Sequence, residues 1–272
     1  MENTLLTILK LSLFETFYVT GLLILIGLVL GIIGNRANFY IQRVFGWKGI
    51  MLTAWIGTPV HELGHLLMCI LFRHKIQDFK LVDLKARNGV LGSVQHTWNR
   101  KSLYQNIGNF FIGMGPIFSG TAALVLGMYL LLPDSFARFG NYLTLDTGQL
   151  DSGTLVNIFV LTGELFASIF SAENVASLNF WIYFALAIGI SSHIALSKED
   201  LKGASRGLVT IFTLIFLINL VALVLNADLS GFFMEILALN VYLLAFSMVS
   251  IVFSSIRLVL SAFAYFLVYK VP

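Results

Sequence analysis

Residues 50–72 read IMLTAWIGTPVHELGHLLMCILF, an apolar run long enough to cross a bilayer, with His61, Glu62 and His65 at its middle. The run holds no other acidic or basic residue. Placing two histidines and a carboxylate in lipid is costly, so such groups mark a functional site by default. On a helix, positions i and i+4 share a face, so His61 and His65 can grip one metal ion from consecutive turns. Glu62 is then placed as a general base toward a water molecule at that ion.

The rest of the chain agrees with a membrane protein. Apolar residues make up 58 % of it and charged residues 11 %, where a soluble domain of this length carries about a quarter. Apolar runs near 11–33, 50–72, 108–132, 177–196, 207–227 and 230–255 predict about six transmembrane helices in an all-α polytopic protein. Residues 1–272 form a single integral membrane domain, with a core at about 50–210, an N-terminal span at 11–33 and C-terminal helices over 207–270. Residues 154–170, with Glu164, are borderline for crossing. The run from 229 to 270 is too long for one span and predicts a second helix or a surface segment at its end. Met1–Leu9 lacks a basic start and no small-residue cleavage site follows, so the first span is expected to stay as an anchor.

Charge placement predicts topology. Arg73, Lys75, Lys80, Lys85, Arg87, Arg100 and Lys101 lie between the second and third spans, and Lys198, Lys202 and Arg206 follow Ile190. The positive-inside rule puts both clusters in the cytoplasm, which requires 154–170 to be re-entrant or interfacial. Asp134, Asp146 and Asp151, against Arg138 alone, suit the outer face. The localisation expected is the cell membrane of a bacterium, with the site nearer its cytoplasmic side. No nucleic-acid motif accompanies the basic residues, which suit lipid headgroups better, so the expected partners are the bilayer and a membrane protein or peptide substrate. The lone Cys69 excludes an internal disulfide and reads as a small buried apolar residue.

Zn²⁺ on two histidines needs a third ligand and an open position. Asp200 is favoured. Ser197 is placed to cap a helix with Asp200 at its third position, and that end lies on the same side as His65. Glu164 is the alternative ligand, being ionisable within an apolar segment. Asp146 and Asp151 read as surface residues. His193 is a candidate ligand, supporting donor or transition-state stabiliser. His74 and His96 read as structural or solvated.

Residues 79–84 alternate like a strand, Arg87-Asn88-Gly89 supplies a turn, and 90–98 resume an extended pattern. This predicts a membrane-associated β-hairpin directly after the metal-binding helix, with an edge able to pair with an unwound substrate. Gly113-Met-Gly115-Pro116-Ile-Phe-Ser119-Gly120 marks a kink and close-packing site in the third span.

Taken together, the pentad His61–His65 in a span, the hairpin behind it, Gly115-Pro116 in the next span and the late Asp200 resemble the site-2 protease family of intramembrane zinc metalloproteases. The resemblance covers 50–132 and 177–210. It implies His61, His65 and Asp200 as zinc ligands and Glu62 as the catalytic base. Ser119 stands where that family has an asparagine, which makes it a further candidate for supporting the reaction. The chain departs from the family around Asp200, where Ala195 and Ser197 replace prolines and Leu201-Lys202 replace glycines. The expected function is a zinc-dependent intramembrane endopeptidase. The alternatives are a membrane zinc hydrolase acting on a lipid-like substrate, and a non-catalytic, metal-stabilised transport or scaffold subunit.

Overall fold

The computed structural model describes residues 2–83, 91–144 and 152–270. Helix α1 spans Glu2–Leu71, followed by strands β1 (Lys75–Lys80) and β2 (Ser93–Thr97). Helix α2 (Leu103–Leu131), the short α3 (Pro133–Phe139) and a 3-10 turn (Gly140–Thr144) come next. Helices α4 (Ser152–Ile169), α5 (Ala172–Ala176), α6 (Leu178–Ser191), α7 (Lys198–Leu225) and α8 (Ser230–Lys270) complete the chain. Among the described residues five helices are long and apolar enough to cross a membrane. Apolar side chains also face outward: Leu52, Leu178 and Val224 are 74 %, 74 % and 78 % exposed. A water-facing surface rarely tolerates so many of these.

The elements differ from the predicted spans in three places. Runs 11–33 and 50–72 belong to one helical element, because residues 35–45 contain neither Gly nor Pro to stop it. The break falls at Gly46, whose φ of 62° and ψ of −156° suit glycine alone. Pro59 lies inside the helix, two residues before His61. Helix α6 has 14 residues, short of the ~20 needed to cross. Helix α8 runs 41 residues without a second start, so the expected break after 255 is absent.

Helix α4 closes at the end of the bundle where α2 stopped. Ser135, just past α2, bonds Ser168 at the close of α4 and accepts from Asn174 of α5, and α6 starts at once from its Ser177 cap. The two basic segments therefore adjoin one end of the bundle. Helix α8 lies parallel to α1. Asn240 donates to the Tyr18 carbonyl, Arg257 to Asn38, and Tyr269 to the Arg43 carbonyl. The core between the helices includes Phe110, Met114, Ile117, Tyr183 and Phe253.

The hairpin is antiparallel, pairing Lys75 with Thr97, Ile76 with His96 and Phe79 with Val94, with a bulge between Ile76 and Asp78. Its first strand thus starts four residues before the predicted one. Residues 73 and 74 fix this. Arg73 takes a left-handed φ of 55° and the His74 N–H bonds the Cys69 carbonyl, closing the helix and releasing the chain straight into β1. The turn at Arg87-Asn88-Gly89 and Lys85 lie outside the described residues, as do Asp146 and Asp151.

Candidate metal centre

Three elements converge on one point. Helix α1 crosses α2 where Gly64 meets Gly115; a Cβ on Gly64 would sit 2.5 Å from the Gly115 carbonyl carbon and 2.5 Å from Ser119 Oγ. Helix α7 approaches α2 as closely, since a Cβ on Gly113 would lie 2.9 Å from that of Ala204 and collide with the Asp200 carbonyl. These contacts bring Asp200 to His61 and His65.

The imidazoles are held in one tautomer. His65 Nδ1 lies 2.8 Å from the Ile112 carbonyl and His61 Nδ1 lies 2.6 Å from the His193 carbonyl. A carbonyl only accepts, so each Nδ1 carries the proton. Both carbonyls are free for local reasons. Pro116 has no N–H for the carbonyl four residues before it, which is Ile112. His193 lies past the end of α6, where no helical donor follows. Each Nε2 is consequently a lone pair, and the two are 3.1 Å apart.

The Asp200 carboxylate faces the same point, with Oδ1 3.2 Å from His65 Nε2 and Oδ2 3.6 Å from His61 Nε2. Its rotamer is fixed by a capping box. The Ser197 hydroxyl accepts from the Asp200 N–H at 3.1 Å, and Oδ2 accepts from the Ser197 N–H at 2.7 Å. Tetrahedral ligands ~2.0–2.1 Å from zinc stand about 3.3 Å from one another. The two Nε2 atoms, 3.1 Å apart, and Oδ1, 3.2 Å from that of His65, match that edge, and one donor atom from each of the three residues lies within 4.8 Å of the others. Imidazoles bonded to carbonyls through the distal nitrogen are also what a zinc site requires. The three residues therefore fit zinc.

Glu62 is 6 % exposed, and its carboxylate has no hydrogen-bond partner among the described residues. Gly92, just before β2, lies against it, so a Cβ there would come within 2.8 Å of Glu62 Oε1. A cavity of about 660 Å³ opens over these groups. Leu91, Gly92, Ser93 and Val94 all line it. Leu91 and Gly92 precede β2 and Ser93 and Val94 open it, and β2 pairs with β1 on one side only, which leaves its other edge without a strand among the described residues.

The other candidates fall in different places. Glu164 is exposed on α4 and lines a separate cavity with Asp134 and Arg138, so it is not brought to the histidines. Ser119 donates to the Val60 carbonyl at 2.7 Å, tying α2 to the turn before His61. His193 borders the cavity, its ring between Thr53 at 3.2 Å and Thr58 at 3.5 Å, while its carbonyl serves His61.

Sequence reasoning set His96 aside, yet it lines the cavity. His74 Nε2 donates to the Gln105 carbonyl at 2.8 Å, and His74 Nδ1 meets His96 Nδ1 at 2.9 Å. Burial pushes the His96 imidazole down to about 4, helped by nearby His74 and His65, and burial lowers His74 as well. Both are neutral near pH 7, so His96 is the donor in that pair and its Nε2 is an acceptor. The only sequence signal was its place in the strand following the pentad.

No family model, curated protein or solved structure matches the chain.

Proposed function

We propose that this chain is a membrane-embedded zinc endopeptidase that cuts a peptide bond of a membrane-embedded or membrane-proximal substrate. The observation that carries the reading is the segment Leu91–Val94, at the start of β2, lining one cavity with Glu62 and the three converging donors. An extended peptide can add to the unpaired edge of that strand by main-chain bonds, which places a scissile carbonyl beside the metal. A lipid has no such pairing to offer.

His61, His65 and Asp200 would hold the ion. When bound there, Zn²⁺ supplies a Lewis acid that polarises the scissile carbonyl and makes water easier to deprotonate. Glu62 accepts a proton as the water oxygen bonds to the carbonyl carbon. It returns that proton to the leaving nitrogen as the C–N bond breaks, giving a carboxylic acid and an amine. A helical substrate hides its peptide bonds, so it unwinds onto the strand before reaction. The helices are read as crossing the bilayer, with both basic segments and the mouth of the site on the cytoplasmic side.

The test compares new protein termini in membranes of cells making the wild type or Glu62→Gln. Termini that appear only with the wild type support the reading. Identical sets of termini overturn it.

A further inference from the structure

A buried cation stands behind one wall of the cavity without an anion. Arg257 of α8 is 3 % exposed. Its guanidinium has five N–H donors but meets two acceptors: Nη2 donates to Asn38 Oδ1 at 2.5 Å, and Nη1 to the Ser192 carbonyl at 3.4 Å. Its Nε is buried with no partner. Among the described residues no carboxylate lies within ion-pair distance of it. A buried charge in this condition is costly, and such groups are retained where they serve a ligand or a switch.

The cavity supplies the place for that ligand. Asn38 and Ser192, the two groups that Arg257 holds, both line it, and so does Asn35, one helical turn before Asn38. With Oδ1 of Asn38 taken by the guanidinium, Nδ2 is the donor end of a side chain that lines the cavity. The acidic residues that line the cavity, Glu62, Glu199 and Asp200, make no ion pair with Arg257, so the guanidinium has no anion of its own there. A ligand bearing one negative charge neutralises it.

We propose that the Asn35–Asn38 wall, backed by Arg257, binds a carboxylate of the peptide substrate and so selects peptides with an acidic group near the scissile bond. This rests on the peptidase reading for the nature of the ligand. Asn38 is a specificity residue that touches the carboxylate; Arg257 is a positioning residue that acts through it. A carboxylate suits two amide donors over a fixed positive charge, because a hydrogen bond to a charged group is stronger than a neutral one.

The test measures binding rather than cleavage. Zinc-loaded Glu62→Gln protein in detergent is titrated with dye-labelled octapeptides of Leu and Ala. Each carries one Glu, moved through every position, or Gln in its place; a further pair differs only in a free or amidated C-terminus. We expect one acidic peptide to bind about tenfold tighter than its neutral twin, the scale of one charge-assisted hydrogen bond. Adding Arg257→Gln should reduce that preference to within about twofold. Asn38→Leu leaves the guanidinium in place and should also shrink it, and it decides alone where Arg257→Gln does not fold. No difference between acid and amide at any position, or a preference that survives both changes, overturns the proposal. Short-chain phosphatidylglycerol that outcompetes every acidic peptide, with sensitivity to the same changes, also overturns it, in favour of a lipid headgroup. If wild-type protein binds the acidic peptide through this wall yet never cuts it, the wall stands and the peptidase reading fails.

Discussion

The Nε2 atoms of His61 and His65 lie 3.1 Å apart, and neither can donate to the other while both Nδ1 protons are given to carbonyls. Two lone pairs that close repel unless a proton or a metal ion sits between them. The Asp200 carboxylate completes the ring of donors. The second row of contacts, from Ile112 and His193, sets this geometry before any ion arrives.

Glu62 separates a catalytic site from a structural one. Glu62→Gln keeps the shape of the side chain but removes its basicity. We expect zinc content to be unchanged and hydrolysis to fall by about 10²–10⁴-fold, the range of a lost general base. Activity within about twofold of wild type would assign the pentad to structure alone.

The crossing of α1 and α2 leaves no room for a methyl group. Gly115→Ala puts a Cβ 2.6 Å from the Gly64 carbonyl carbon. We expect a loss of about 1–3 kcal/mol in stability, the usual cost of overpacking, together with weaker zinc binding as His65 shifts from Ile112. Gly163→Ala in α4, where nothing lies within 4 Å, is the control and should hold or raise the melting temperature. Equal melting curves for wild type and Gly115→Ala would show that the helices are not packed this way.

Acid should loosen the hairpin. His96 falls from its ordinary 6.5 to about 4 in the folded protein, chiefly through burial, and His74 is lowered for the same main reason. The unfolded chain therefore binds more protons through this range, and stability rises with pH. The contribution is fully present above about 6.5 and is lost as pH drops toward 4. Trp98 stacks on His74 with ring centres 5.8 Å apart and reports the event. In a protein keeping only that tryptophan, emission should shift across this window, and His96→Leu should flatten the shift. A hairpin that loosens as pH rises contradicts the assignment.

Topology follows from the shared cavity. Ser93 of the hairpin and Asp200 of α7 border the same space. Single cysteines replacing Lys85 and Lys202 should react with an impermeant reagent from the same face of the membrane. Labelling from opposite faces would break the proposed arrangement.

Much of the site was legible because it obeys short-range rules. The pentad needs only helical spacing, and Ser197 three residues earlier placed Asp200 in the first turn of a helix, which the capping box reproduces. Gly115-Pro116 announced close packing, but not that Pro116 would free the Ile112 carbonyl for His65. Other features depend on contacts distant in sequence. Nothing local shows that Asn38 and Arg257 meet, or that His96 turns toward the cavity. The single long α1 was hidden because polar residues near Asn35 and Arg36 resemble a loop, whereas the chain continues as helix to Gly46. Glu164 looked buried by its apolar neighbours, yet it lies with exposed Val160 on the outer side of α4 while Ile158 and Leu165 turn into the core.

Zinc content with X-ray absorption on the purified protein tests the central claim most directly. The account predicts about one zinc per chain, bound by two imidazoles and a carboxylate oxygen at ~2.0–2.2 Å. Zinc should be lost in His61→Ala/His65→Ala, strongly weakened in Asp200→Ala and retained in Glu164→Ala. Zinc that stays equally bound in the double histidine variant, or that leaves with Glu164 and not with Asp200, would contradict it.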